Sequence, residues 1–234
     1  MVVIAVAGGA GCLGRTIVEE LVGQGKHKVI VLSRKRPAEG QVMGAPAIEV
    51  DYNDVDSMQR VLEEHKVHTV ISAIMILKEK AASDMQVNLI KAAGKSRTTK
   101  RFMPSEYSID NQPSIVHIAP NVQWFLDAID ALKETDLEYT RLLLGYFIDF
   151  YGMPHVKTHL FPFKYALDVE AKEATLSGTG DEPVSMIYSV DFAKLVVAAL
   201  DLEVWKETYS VIGETTTFNK MLRKAEQLLV GLPL

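Results

Sequence analysis

The sequence predicts an α/β fold, a doubly wound parallel sheet with a small C-terminal lobe, on three observations. Short apolar runs alternate with amphipathic segments over the first 144 residues. Glycines cluster where the first apolar run meets the first amphipathic segment. No repeat, low-complexity tract or long linker interrupts the 234 residues. Strands that alternate with helices form parallel sheets through right-handed crossovers, so both faces of the sheet are covered.

Five buried strands are predicted, in chain order, at residues 2–7, 29–32, 48–50, 69–73 and 102–103. Apolar spacing predicts amphipathic helices over residues 55–64 and 84–93. The stretch "PVSMIYSVDFAKLVVAALD" predicts a further strand and a helix that is N-capped by Ser189 and runs through Leu200. We assign residues 1–144 to the sheet domain and residues 145–234 to a lobe interleaved with the last sheet elements, in a single compact unit.

Composition narrows the class of protein. The net charge of −5 provides no basic field for nucleic acid, and 48% hydrophobic residues are ordinary for a globular protein. A lone cysteine, Cys12, excludes an intramolecular disulfide and suits a reducing compartment. The N-terminal apolar run is too short to span a bilayer, and it has neither a basic region nor a cleavage site. We therefore predict a cytoplasmic protein, a monomer or homodimer, that binds a small molecule and neither nucleic acid nor membrane.

The stretch "AVAGGAGCLGR" matches the glycine spacing of a dinucleotide-binding turn. Gly8 would form the tight turn, Gly11 would admit a pyrophosphate, and Gly14 would let the helix pack closely. The remaining residues predicted to face the phosphates through backbone amides are Gly9, Cys12 and Leu13. The alternative is a purely structural turn between a strand and a helix.

The end of the second predicted strand indicates which dinucleotide binds. A carboxylate there would hold a ribose 2′-hydroxyl, but the sequence is "VIVLSRKRPAEG". Ser33, Arg34 and Lys35 offer hydroxyl, guanidinium and ammonium donors for a 2′-phosphate. The sequence thus favours NADP(H) over NAD(H). The alternative is a solvated basic loop.

Four more residues are predicted at the carboxyl edge of the sheet, where ligands bind in doubly wound folds. In "EVDYND", Asp51 could accept from the adenine amino group while Tyr52 packs beside the ring. In "VISAI", Ser72 and Ala73 are small enough for a cofactor to pass close by.

Motifs in order along residues 2–229 resemble the NmrA-like and isoflavone-reductase-like branch of the atypical short-chain dehydrogenases. Besides the glycines, they are "LSRK", "VDYND", "VISAI", "KRFMPSEY", "LEYTRLLLGYF" and "YSVDFAKLVVAAL". The resemblance implies a Rossmann domain that binds NADP(H) and a lobe that closes over a substrate. Its members include reductases of specialised metabolism and nucleotide-sensing regulators. They continue further than "LLVGLPL", so we expect a more open substrate pocket here.

The proton donors usual in such enzymes are missing from the sequence. Short-chain dehydrogenases pair a tyrosine with a lysine four residues later, and none of the eight tyrosines has one. Isoflavone-reductase-like enzymes carry a lysine on the helix before the "LEYT"-like strand instead. Counting back from Tyr139 places that position at Leu126. Lys133, nearer the helix end, is interpreted as a solvated residue.

The residues after the fifth predicted strand, in "RFMPSEYSID", are the remaining candidates for catalysis. Ser105 is predicted to contact the cofactor. Glu106 is predicted to exchange protons, since burial disfavours a carboxylate's charged form, and Tyr107 is predicted to donate a hydrogen bond to a carbonyl or to orient a substrate. The alternatives are that Glu106 caps the following segment or pairs with a lysine and that Tyr107 only packs.

The stretch "LGYFIDFY" resembles the family's loop over the nicotinamide. Tyr146 and Phe147 are predicted to stack on the nicotinamide ring, or else to be ordinary core aromatics. His155 and His159 have i, i+4 spacing, but no third ligand completes the pattern and Pro154 with Pro162 disfavours a helix. No metal site is predicted.

These observations predict an NADP(H)-binding enzyme of specialised metabolism, reductase-type by family, acting on a bulky, largely apolar small molecule. One alternative is a non-redox isomerase that retains NADP+ and uses Glu106 as general acid and base. The other is a non-catalytic sensor of NADP(H), which the missing lysine fits equally well.

Overall fold

The computed structural model describes residues 1–77 and 79–229. Its elements up to residue 139 are β1 (Val3–Ala7), α1 (Cys12–Gln24), β2 (Lys28–Ser33), β3 (Gln41–Val42), β4 (Ala45–Glu49), α2 (Val55–Glu64), β5 (Val67–Ser72), α3 (Lys80–Lys95), β6 (Arg101–Met103), α4 (Val122–Lys133) and β7 (Glu138–Tyr139). The later elements are β8 (Arg141–Leu143), β9 (Tyr146–Phe147), α5 (Asp149–Gly152), β10 (Leu167–Asp168), β11 (Glu173–Ala174), β12 (Val184–Ile187), α6 (Ser189–Ala199), β13 (Thr208–Ser210), β14 (Glu214–Thr216) and α7 (Phe218–Leu229).

The predicted α/β fold is confirmed over these ranges. A seven-stranded sheet has the order β3-β4-β2-β1-β5-β6-β7, and every neighbouring pair is parallel except the β3–β4 hairpin. β1 lies at the centre, where the order reverses, so the carboxyl ends of β1, β2 and β5 meet beside the glycine turn. This is the crevice in which doubly wound sheets bind ligands.

The two faces of the sheet bury separate apolar cores because successive strand residues point to opposite sides. Ile4 and Val6 of β1 pack with the apolar residues of α1 and α6. Ala5 and Ala7 belong to the core that α2, α3 and α4 cover on the other face. Both faces of β1 are therefore buried, and helices pack on both sides of the strand that ends at the glycine turn.

Element boundaries follow the predictions with local differences. The helix predicted over residues 55–64 is confirmed, and the one predicted over 84–93 is longer, since α3 runs from Lys80 to Lys95. The N-cap prediction for Ser189 is wrong: α6 begins at Ser189 and its N-cap is Tyr188. The Ser189 hydroxyl and amide instead donate to the buried Asp149 carboxylate, at 2.5 and 2.9 Å. Asp149 thus caps α6 from a distant part of the chain.

The second part of the chain adds small sheets and returns to the first. β9 and β14 flank β12, β13 pairs with β8, and α6 packs against α1. The boundary at residue 145 between the sheet domain and the lobe stays a prediction. The expected opening of the substrate pocket depends on "LLVGLPL", whose residues 230–234 lie outside the described residues. Within the described ranges, no helix combines the length and apolar content needed to cross a bilayer.

Candidate functional site

The glycine turn after β1 is shaped by close backbone contacts. Gly8 has φ +74°, and a Cβ there would lie 2.7 Å from the Ala73 carbonyl oxygen. A Cβ on Gly14 would lie 2.3 Å from the Gly8 carbonyl oxygen, so α1 packs directly on the turn. A Cβ on Gly11 would meet nothing nearer than 3.6 Å, which leaves free the space that a phosphate needs. The turn therefore fits a pyrophosphate, with Gly9 buried beneath Val18 and Val31 as support.

A cavity, here called the cradle cavity, opens in front of this turn. Its lining residues come from the glycine turn, the ends of β2 and β5, Tyr52 and α3: Gly8, Ala10, Gly11, Cys12, Leu32, Ser33, Arg34, Tyr52, Ala73, Ile74, Met75, Glu79, Ala82 and Met85. An adjoining depression is lined by Arg34, Met85 and residues 49–53, which include Asp51. Seven of the predicted cofactor residues thus line the cradle cavity, and Asp51 lines the depression beside it.

The basic segment after β2 places one cation at the cavity. Arg34 lines both the cradle cavity and the depression, and has no ion-pair partner among the described residues. The Ser33 hydroxyl donates to the Lys35 carbonyl at 2.8 Å, and the exposed Lys35 side chain lines neither space. Of the three predicted phosphate ligands, Ser33 and Arg34 line the cradle cavity and Lys35 does not.

Tyr52 and Ser72 are both buried, and of the two only Tyr52 lines the cradle cavity. The Tyr52 hydroxyl donates to the Leu32 carbonyl at 3.1 Å, and burial raises the pKa of this phenol. Ser72 is buried and does not line the cavity, whereas the next residue, Ala73, does. Ser72 acts through its backbone, as its carbonyl accepts a hydrogen bond from the Tyr107 hydroxyl at 2.8 Å.

A second cavity, here called the aromatic cavity, shares Cys12, Ala73, Ile74 and Met75 with the cradle cavity. Seven aromatic residues line it: Tyr107, Phe125, Tyr146, Phe147, Phe150, Phe161 and Phe163. Leu13, Ile76, Leu77, Ser105, Ser108, Gly145 and Leu160 complete its lining. None of these described residues carries a charged side chain. The two cavities thus adjoin along the sheet edge, and charged side chains line only the cradle cavity among the described residues.

Ring contacts hold the aromatic residues in place. Phe192 of α6 contacts Tyr107 at a centroid distance of 5.0 Å and Phe147 at 5.8 Å. Tyr146 stacks on Tyr165 at 4.8 Å, and burial is the main cause of the raised pKa of Tyr146. Tyr146 and Phe147 therefore line the cavity as predicted and also pack within the lobe.

Tyr107 and Ser105 line the aromatic cavity from the loop after β6. The predicted hydrogen bond from Tyr107 to a ligand carbonyl is wrong for this arrangement, because the hydroxyl donates its one proton to the Ser72 carbonyl. Its free lone pairs can instead accept a hydrogen bond from a ligand. Burial raises the pKa of this phenol, so it stays neutral. The Ser105 amide donates to Gln86 Oε1 at 2.8 Å, which fixes the loop to α3.

Glu106 points away from the cavity. Its side chain is 2% exposed and accepts from Arg141 through both oxygens, at 2.6 Å from Nε and 2.7 Å from Nη2. Asn111 donates to the same carboxylate at 3.2 Å, and Arg141 also reaches Asp110 at 2.9 Å. Glu106 is not among the lining residues of the aromatic cavity. Glu106 therefore forms an ion pair, as in the alternative interpretation, but its partner is Arg141 rather than a lysine.

The helix position next to the aromatic cavity differs from the predicted one. Phe125 of α4 lines that cavity, whereas Leu126 lines a surface groove together with Lys133 and Arg141. Successive helical residues point about 100° apart, so a one-residue error in register changes the face. The cavity-facing position is nonetheless apolar, and Lys133 is near Asp130 at the far end of the helix.

The two histidines of "HVKTH" lie in different surroundings. His159 Nε2 lies 2.9 Å from Glu19 of α1, which also accepts from Lys157 at 2.6 Å, and His155 is exposed. No group of three potential metal ligands occurs among the described residues. Lys157 and His159 lower the pKa of Glu19 by hydrogen bonding and charge. These contacts connect α1 to the segment that carries Leu160, Phe161 and Phe163.

Comparison with known proteins agrees with this geometry. The model of the NAD(P)H-binding family matches residues 8–159. The oxidoreductase BOA1 of Botryotinia fuckeliana is 34% identical over 229 residues, covering 97% of this chain and 76% of that protein. The oxidoreductase swnN of Metarhizium robertsii is 32% identical over 256 residues, covering 99% and 73%. The structure of AtPrR2 with NADP+ and (+)pinoresinol has the same fold, with a TM-score of 0.74 at 21% identity over 100% of this chain and 77% of that one.

Proposed function

This chain belongs to the NAD(P)H-binding family, and from that premise we propose that it is an NADP(H)-dependent reductase of specialised metabolism acting on a bulky, largely apolar small molecule. The observation that carries the proposal is that the two cavities adjoin. The glycine turn and Arg34 line the cradle cavity, whereas seven aromatic side chains and no charged side chain among the described residues line the aromatic cavity. Relatives named as oxidoreductases support the reaction class.

Each residue has a role derived from its place. Backbone amides of the glycine turn and the N-terminus of α1 bind the pyrophosphate. Arg34 binds the 2′-phosphate through charge-assisted hydrogen bonds. A bound nicotinamide would supply a hydride. The aromatic rings orient the substrate and exclude water. Tyr107 accepts a hydrogen bond from the substrate, and Glu106 with Arg141 positions the loop that carries Tyr107.

The isomerase alternative loses its acid–base group in this arrangement. Proton exchange by Glu106 would require breaking a two-point ion pair with Arg141 inside the protein. A buried carboxylate without that partner is unfavourable. The proton that a reduced carbonyl needs is therefore assigned to ordered water or a cavity hydroxyl rather than to Glu106.

The reaction class is tested with purified protein, NADPH or NADP+, and a panel of planar apolar ketones and enones. Absorbance of reduced nicotinamide is followed together with product mass. We expect loss of the band and a product heavier by two hydrogens. A product of unchanged mass formed with NADP+ would establish an isomerase. NADPH binding without any product across the panel would favour a sensor.

Replacing Arg34 with Gln is expected to raise the Kd of NADP+ at least about tenfold, with little change for NAD+. The substitution removes hydrogen bonds from a charged donor to the 2′-phosphate, worth about 1.5–3 kcal/mol. Calorimetric titration of both cofactors measures the effect. Arg36→Gln is the matched control, because Arg36 lies in the same segment but outside both spaces, near Gly40. Equal losses for NADP+ and NAD+ would contradict the assignment.

A further inference from the structure

The cradle cavity contains a carboxylate that the sequence motif does not include. Glu79 immediately precedes α3 and lines the same cavity as Ser33 and Arg34. In the sheet order β2-β1-β5, α3 follows β5, so Glu79 reaches the cavity from the other side of β1. The sequence has no carboxylate directly after β2, but Glu79, just before α3, places one in the same cavity.

Glu79 forms no side-chain hydrogen bond or ion pair with the rest of the described chain. Its side chain is exposed, makes no capping hydrogen bond to α3 and has no ion pair among the described residues. The neighbouring Lys80 is paired with Asp84 at 2.6 Å. Within the described part of the chain, the cavity lining therefore contains one anion and one cation without an ion-pair partner, Glu79 and Arg34.

We propose that Glu79 is a specificity-determining residue of the cofactor site, where its negative charge opposes a 2′-phosphate and limits the preference for NADP(H) that Arg34 confers. The inference rests on the proposed function. A 2′-phosphate carries nearly two negative charges at pH 7, whereas the 2′-hydroxyl of NAD(H) carries none. A carboxylate in the same solvent-filled cavity repels the first and leaves the second unaffected.

The repulsion acts across water, so its size is modest and depends on salt. Because water and salt screen charges across a partly solvated cavity, we expect a change of about threefold to tenfold in affinity at low ionic strength. Both cofactors carry the pyrophosphate, and only NADP+ carries the additional 2′-phosphate. Removing the charge should therefore tighten NADP+ binding more than NAD+ binding and raise the ratio Kd(NAD+)/Kd(NADP+).

The test is calorimetric titration of the whole chain and its Glu79→Gln variant with NADP+ and with NAD+, at about 20 mM and 300 mM salt. Asp84→Asn is the matched control, because it changes the net charge equally on the same helix but lies outside the cavity. We expect the ratio to rise about threefold to tenfold for Glu79→Gln at low salt, less at high salt, and less than twofold for Asp84→Asn.

The outcomes separate this inference from the function on which it rests. A ratio for Glu79→Gln that is no higher than for Asp84→Asn, with NADP+ still bound by the unaltered chain, overturns the role of Glu79 alone. An increase that persists at high salt would overturn the electrostatic cause. Failure of the unaltered chain to bind either cofactor would overturn the proposed function itself. Thermal melting of both variants shows that the comparison is made on folded protein.

Discussion

Replacing Arg141 with Met is expected to lower the free energy of unfolding by about 3–5 kcal/mol. Arg141 is the charged partner of Glu106, whose side chain is 2% exposed, and the two are joined by two short hydrogen bonds. Removing the guanidinium leaves a carboxylate inside the protein with Asn111 as its remaining side-chain donor among residues 1–77 and 79–229. The change is measured by urea unfolding at pH 7.

Two further variants separate charge burial from the loss of side-chain packing. Glu106→Gln combined with Arg141→Met should recover much of the lost stability, because no uncompensated charge remains. Arg97→Met removes an arginine from an exposed pair with Glu63 and should cause only a small loss, since solvent screens such pairs. A double variant no more stable than Arg141→Met would contradict the explanation by charge.

The Glu106–Arg141 pair is a feature of the site that the sequence alone could not predict. The position of Glu106 at the end of β6 follows from the strand pattern, because the carboxyl ends of parallel strands share one edge. The direction of its side chain depends on Arg141, the first residue of β8, which is 35 residues away and gives no sign in the sequence of pairing with Glu106. Partners at that separation are set by tertiary packing, so an acid–base role and an ion pair could not be distinguished from the residues alone.

The position on α4 illustrates a second limit. Counting back from Tyr139 to Leu126 crosses the end of a helix and a turn whose length is not fixed by any motif. Phe125 lines the cavity instead, since one residue of helix rotates the side chain by about 100°. The glycine turn was predictable for the opposite reason: its spacing is set by local backbone contacts. Glu79 had no such local signal, because it lines the cavity only once α3 is placed beside β5.

Replacing Gly14 with Ala is expected to raise the Kd of NADP+ at least about tenfold and to lower the free energy of unfolding by about 1–3 kcal/mol. A Cβ at this position would lie 2.3 Å from the Gly8 carbonyl oxygen and 2.9 Å from the Gly9 Cα. These are backbone atoms, so α1 must move away from the turn. The Gly8 carbonyl also accepts from the Gly11 amide at 3.0 Å, and the shift would distort the amides that face the pyrophosphate.

Gly23→Ala provides the control on the same helix, with an effect of opposite sign. A Cβ on Gly23 meets nothing within 4 Å, so alanine should stabilise α1 by about 0.4–1 kcal/mol and leave cofactor affinity unchanged. Calorimetric titration and urea unfolding of both variants give the comparison. If Gly14→Ala lost stability but bound NADP+ as tightly as the unaltered chain, the close packing of α1 on the turn would serve folding only. If it lost affinity in proportion, the position of α1 is what forms the phosphate site.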